Sequence, residues 1–251
     1  MAALLFVSLF ARLYLWLCGW WSRRWQLQQR PRWYIIEGNI GCGKSTLIQR
    51  LKQEEQEYEV IDEPVEVWKS ITDSSTGENV LGLFYKDPHR YAYLFQSIVF
   101  KTRMMALEAP QVKPVRFSER SIRTDKHIFS ASCFELGYMS VVEKKAYDMW
   151  YRWLEQKLSS AASAAAQQPT GIIYLRVSPE DCLKRIHIRD RNEESSVSLD
   201  YLTQLHAKHE KWLNTPHGRT EDGVPVYVID NSGPPMATFA QVQQIVQQNS
   251  Y

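Results

Sequence analysis

A chain of 251 residues, 44% hydrophobic and 23% charged, has the balance of a soluble globular protein and is long enough for one large α/β domain, the expected arrangement, or two small ones. Five of the 30 basic residues (Arg12, Arg23, Arg24, Arg30 and Arg32) lie in residues 1–32, which hold no acid, so the formal charge of +2 hides a body with 25 basic against 28 acidic residues. That mildly acidic body argues against a nucleic-acid binder, and Cys18, Cys42, Cys133 and Cys182, without CxxC or Cys/His ligand spacing, suggest neither a zinc site nor a disulfide framework but a reducing compartment.

Residues 2–21 (AALLFVSLFARLYLWLCGWW) are apolar except for Arg12 and run into an Arg/Gln-rich stretch ending at Arg32. Residues 1–32 read as a leader outside the folded domain, which spans 33–251. Three readings stay open: a mitochondrial transit peptide, placed first; a membrane anchor or uncleaved signal making membrane contact through residues 2–21; or a tail packed on the domain. The central arginine costs about 2.5–3.5 kcal/mol on insertion, which nearly cancels the leucines around it.

Residues 33–46, WYIIEGNIGCGKST, form an apolar strand, a glycine loop and a helix start. Gly38, Gly43, Lys44 and Ser45 occupy the fixed positions of a P-loop. Between and beside them Asn39, Ile40, Gly41, Cys42 and Thr46 complete a loop whose amide N–H groups converge on phosphate oxygens at a helix N-terminus. Lys44 reaches the terminal phosphates of a nucleoside triphosphate, and the Ser45 hydroxyl suits Mg2+.

A helix follows over residues 44–56, then a strand at 58–61 ending in Asp62-Glu63-Pro64. An acid at the carboxyl end of a parallel strand faces the ligand crevice, so Glu63 is placed for general-base work, with a solvated loop acid as the equal alternative. Residues 70–80 read as a polar loop, and 89–108 as a helix whose aromatic residues suit a core. Gln96 and Arg103 share a face of that helix two turns apart, and buried there they need partners, in a ligand or in the core. A third strand at 114–118 ends in Glu119-Arg120-Ser121: Glu119 suits the magnesium shell, and Arg120 suits phosphate or Glu63.

Residues 140–158 form a helix, 159–168 a low-complexity tail or linker, and 171–177 a buried fourth strand. Ser178-Pro179 caps the next helix, which carries Arg185 and Arg189 four apart with Arg191 beyond them. They read either as a lid that clamps a migrating phosphoryl group or as a solvated face paired with Asp190, Glu193 and Glu194. His206 and His209, in a helix over 198–214, read as surface or packing residues. A fifth strand at 224–229 and a terminal helix at 235–248 complete an α/β fold, a five-stranded parallel sheet flanked by helices.

Four motifs in order, EGNIGCGKST, DEPVEVW, FSERSIRTDKHIF, and LKRIHIRDRNEE followed by LDYLTQLHAKHEKWL, resemble the cellular-type deoxynucleoside kinase family over about residues 33–229, and more closely its deoxycytidine and deoxyguanosine kinase branch. The resemblance implies a P-loop kinase with an Arg-rich lid that phosphorylates the 5'-hydroxyl of a deoxynucleoside for nucleotide salvage, with ATP or another triphosphate as donor and Mg2+ as cofactor. Glu63 is then the general base, and Lys44, Arg120, Arg185, Arg189 and Arg191 stabilise the phosphates, with Ser45 and Glu119 around the metal. Tyr85 and Glu194 match the pair that holds the sugar 3'-hydroxyl. Gln96 reads the base edge, Trp68 and Phe129 enclose the base, and Arg103 with Asp125 completes its recognition. An ion pair at Arg103 and Asp125 fills the space that thymidine-preferring members leave for the thymine methyl. Val99 stands where deoxycytidine-preferring members carry a smaller residue and narrows the pocket against purines, so the expected order is deoxycytidine, then purine deoxynucleosides, then thymidine. The resemblance also implies a homodimer. The competing readings are a nucleoside monophosphate kinase and a catalytically weak, membrane-tethered nucleotide-binding protein.

Overall fold

The computed structural model describes residues 31–54, 57–159, 168–191, 194 and 197–249. Most of the leader, the core of the low-complexity stretch and Glu193 lie outside these residues. Five short apolar segments form the strands β1 (Arg32–Glu37), β2 (Tyr58–Ile61), β3 (Val115–Glu119), β4 (Gly171–Arg176) and β5 (Val226–Asp230). They pair in parallel in the order β2-β3-β1-β4-β5. Helices on both faces bury β1, β3 and β4; β1 and β4 are accordingly largely apolar, whereas β3 carries the buried Arg116, Ser118 and Glu119 among its apolar residues. Arg32, counted with the leader in the sequence, opens β1, and its guanidinium donates to the Val246 carbonyl at 2.6 Å.

Helix α1 (Lys44–Lys52) buries Leu47, Ile48 and Leu51 on one face and stops four residues short of the expected end. Two short helices that the sequence reading did not identify, α2 (Val65–Ser70) and α3 (Val80–Lys86), flank the expected polar loop and take only its end residues. Each is too short for helical periodicity to show; α3 is started by Asn79, whose side-chain oxygen accepts from Gly82 N at 2.9 Å. The long α4 (Pro88–Glu108) buries Ala92, Phe95, Gln96, Val99 and Arg103, a stripe at helical spacing that is polar where it meets the crevice.

After β3 the chain makes a single turn, α5 (Ile122–Thr124), a π-helical stretch (Asp125–Ser130) and α6 (Ala131–Glu135). Four longer helices follow: α7 (Val141–Ser159), α8 (Pro179–Arg189), α9 (Leu199–Leu213) and α10 (Pro235–Gln248). Ser178 caps α8 as expected, accepting from Asp181 N at 3.1 Å. His209 is a packing residue: it is buried, stacks on Tyr174 with ring centroids 5.8 Å apart, and is lowered by burial to about 3, hence neutral. Cys42, Cys133 and Cys182 are free thiols.

This topology positions the site. The chain leaves β1 toward one side of the sheet and crosses from β3 to β4 on the other, so a crevice opens at the carboxyl ends of β1 and β3. The glycine loop, Glu63 after β2 and Arg120 after β3 all emerge there.

Candidate active site

The loop between β1 and α1 needs its glycines for separate reasons. Gly38, Gly41 and Gly43 have φ of 146°, 80° and 102°, a region other residues avoid. A Cβ on Gly41 would stand 2.5 Å from the Cys182 carbonyl oxygen of α8, so the loop also requires close backbone approach. Asn39 ties the loop to α9 by donating to the Leu202 carbonyl at 2.9 Å. The buried Lys44 ammonium donates to the Gly38 and Asn39 carbonyls at 3.1 and 2.8 Å, which holds it at the cradle mouth.

Behind the loop lies the most charged cluster of the crevice. Glu63 Oε1 accepts from Arg120 at 2.7 Å and from Arg103 at 2.5 Å, and Oε2 accepts from Arg120 at 3.0 Å. Burial alone would raise the Glu63 carboxyl, but Arg120, then Arg103 and Lys44, outweigh it and hold it well below the usual carboxylate range. Arg120 itself sits in the left-handed region at φ 63°, with its guanidinium 4.8 Å above the Phe129 ring. Of the two partners its sequence position allowed, the carboxylate is the one it holds here.

Arg103 crosses from α4 and satisfies three partners at once: Glu63, the Glu119 carbonyl at 3.1 Å, and the Asp125 carboxylate through Nε at 3.0–3.1 Å. Asp125 is sealed behind Arg103, away from the cavity wall, and burial raises it to about 6 even against that ion pair. The expected pair thus forms, and in addition it reaches the candidate base directly. Gln96 faces the same space, and its buried Oε1 has no partner among the described residues.

All of these side chains except Asp125 line one cavity, which joins the P-loop to an apolar chamber. Trp68, fixed by its indole N–H donating to Thr102 Oγ1 at 2.9 Å, Val99 and Phe129 form apolar walls. Tyr85 and Glu194 also line the cavity, and burial and then the Glu194 charge raise the Tyr85 hydroxyl far above its ordinary value. Sequence reasoning missed Phe84 and Tyr201, which complete the walls; they sit in apolar patterns that read as ordinary core.

The three lid arginines are not brought together. Arg189 and Arg191 line the cavity and pair with Glu194, Arg191 at 3.6 Å. Arg185 instead donates to the Cys42 and Asn231 carbonyls at 3.2 and 2.9 Å and lines a second groove of about 1110 Å³ with Gly43 and Thr46. A turn of helix separates Arg185 from Arg189, and α8 crosses the loop between them.

Ser45 Oγ donates to Glu119 Oε1 at 3.1 Å, and burial, then the Glu63 charge, raises the Glu119 carboxyl. A hydroxyl and a carboxylate on the phosphate side of the cavity are hard oxygen donors that fit Mg2+, an ion usually completed by substrate phosphates and water. Among the described residues no cluster of three His, Cys, Asp or Glu forms an all-protein metal site.

A parallel sheet in this order, with a glycine loop feeding a helix and charged groups at the strand ends, defines a P-loop kinase. The sequence model of the family described as deoxynucleoside kinase matches residues 34–249. The chain is 38% identical over 196 residues to a deoxycytidine kinase of Mus musculus, covering 71% of this chain and 74% of the relative. It is 40% identical over 200 residues to a probable deoxycytidine kinase of fowlpox virus, covering 79% and 78%. To a mitochondrial deoxyguanosine kinase of Xenopus laevis it is 35% identical over 194 residues, 71% of each chain. The chain belongs to the deoxynucleoside kinase family, whose members are ATP-dependent phosphotransferases, and within it to the deoxycytidine and deoxyguanosine kinase branch. That membership disfavours the monophosphate-kinase and non-catalytic, membrane-tethered readings.

Proposed function

We propose that this enzyme phosphorylates the 5'-hydroxyl of deoxycytidine first, purine deoxynucleosides next and thymidine least, with ATP or another nucleoside triphosphate as donor. The observation that carries the reading is Glu63 held between Arg120 and Arg103 where the apolar cavity meets the P-loop. The nucleobase lies between Trp68 and Phe129 with its edge on Gln96, and Tyr85 and Glu194 take the 3'-hydroxyl. The sugar 5'-hydroxyl then meets Glu63. Held ionised, that carboxylate accepts the hydroxyl's hydrogen bond at any working pH and takes its proton as the phosphoryl group transfers.

Loop amides, Lys44, Arg120, Arg189 and Arg191 hold the phosphates, while the placement of Arg185 in the second groove supports a role on the donor nucleotide. Ser45 and Glu119 would hold Mg2+, which would supply charge neutralisation on the donor. We also propose a homodimer, supported by an exposed apolar face on α7, and the stretch ahead of β1 as a targeting or membrane-associating leader.

The test is the rate of phosphorylation of deoxycytidine, deoxyadenosine, deoxyguanosine and thymidine. Arg103, held in the cavity wall by Asp125 behind it, takes the space that a thymine methyl needs, so thymidine turns over slowest. Thymidine as the best substrate would overturn the specificity reading.

A further inference from the structure

Glu37 is the last residue of β1, and its side chain is fully buried in a position where the strand's apolar run would be better continued by Ile or Val. A buried carboxyl carries a large desolvation cost and needs a compensating role. Its Oε1 accepts from the Thr124 hydroxyl, and its Oε2 has no partner among the described residues. Thr124 Oγ1 in turn accepts from Ser121 N at 3.0 Å, and Ser121 Oγ accepts from Arg123 N at 3.2 Å, which closes a capping box on the single turn of α5. One residue earlier, Arg120 N donates to the Ile36 carbonyl at 3.0 Å. The end of β1 therefore grips residues 120–124 at both ends, through Ile36 and through Glu37.

Between those grips lies the left-handed Arg120, a conformation that costs on the order of 1–3 kcal/mol and persists only where its surroundings impose it. Its side chain leaves this bend to reach Glu63.

We infer that Glu37 and Thr124 form a latch between the ends of β1 and β3 that imposes the Arg120 bend and so positions Arg120 on Glu63. Both are positioning residues that do not line the cavity, and the inference rests on the proposed roles of Glu63 and Arg120. The latch requires a hydroxyl at 124 and an acceptor at 37. It requires neither the threonine methyl nor the carboxylate charge.

The test compares Thr124→Val, Thr124→Ser, Glu37→Leu, Glu37→Gln, the Thr124→Val/Glu37→Leu double variant and Glu63→Ala in the full chain, with kcat and KM for deoxycytidine and ATP. A misaimed Arg120 lowers kcat about tenfold in Thr124→Val and in Glu37→Leu, with KM changed less than about twofold. Because the Thr124–Glu37 bond is already lost in each single variant, the double variant falls no further than Thr124→Val, which also loses the bond from Ser121 N. Thr124→Ser and Glu37→Gln, which keep the bond and perturb folding least, restore most of the loss. Wild-type kcat in Thr124→Val, losses that multiply in the double variant, or a tenfold loss in Glu37→Gln would each overturn the latch. Normal turnover in Glu63→Ala would overturn the underlying catalytic reading instead. A loss in Glu63→Ala with none in Thr124→Val separates the two and rejects the latch alone.

Discussion

Two guanidinium groups converge on the single carboxylate of Glu63, and this decides how that residue behaves in solution. Its carboxyl is held below the ordinary value of 4.5, so its ion pairs contribute stability that is fully present above about pH 4.5 and is lost as the pH falls through the lower folded value. Glu63→Ala is expected to lower kcat by at least about a hundredfold while ATP binding survives, as for a lost general base. It also leaves Arg103 and Arg120 without their shared partner, so its melting temperature falls below wild type at neutral pH. That gap narrows only below about pH 4.5, where the wild type loses the same ion pairs. Turnover assays, nucleotide titration and thermal melts across pH check these points. A near-normal kcat would remove Glu63 from the mechanism.

At the scale of elements, the P-loop is shaped by what packs behind it as much as by its own glycines. Helix α8 brings the Cys182 carbonyl so close to Gly41 that a methyl group would meet it at 2.5 Å, and the φ of 80° is unfavourable to any other residue. Gly41→Ala is therefore expected to destabilise the protein by about 1–3 kcal/mol and to weaken ATP binding, because strain and clash both displace the loop amides. Thermal unfolding and a nucleotide titration measure the two effects, and a wild-type melting temperature would mean that the loop and α8 part without cost. The same helix explains the split among the arginines. Arg185 meets the back of the loop, whereas Arg189 and Arg191 at its far end join Glu194 over the cavity.

For the molecule as a whole, the surface that stands out is the outer face of α7, where Val142, Met149 and Trp150 are 76%, 65% and 57% exposed. They lie at helical spacing beside α4, which exposes Met105 and Leu94. Apolar residues aligned on two packed helices form a patch of the kind that interfaces cover, and the proposed occupant is a second copy of this chain. The mass in solution should be twice the 29.4 kDa of one chain and fall to one chain in Trp150→Glu, measured by light scattering after gel filtration. A monomeric wild type would end the proposal.

Periodicity and punctuation alone determined the five strands, the long helices, the P-loop and the α/β class, because alternation of apolar runs with capped helices is local information. The glycine, lysine and serine of the P-loop were legible for the same reason: their spacing is their chemistry. Glu63, Arg103 and Arg120 were legible as candidates, yet residues alone left each of them two readings. Their convergence depends on sheet order, which sets β3 between β1 and β2 so that the residues after β2 and β3 meet at one edge of the crevice. Only the tertiary structure decided that Arg103 serves Glu63 as well as Asp125, that Arg185 bonds the Cys42 and Asn231 carbonyls while Arg189 pairs with Glu194, and that Glu37 is gripped by Thr124 from 87 residues along the chain. The physical reason is that these side chains are aimed by helix crossings and strand register, and those are set by packing between segments far apart in sequence.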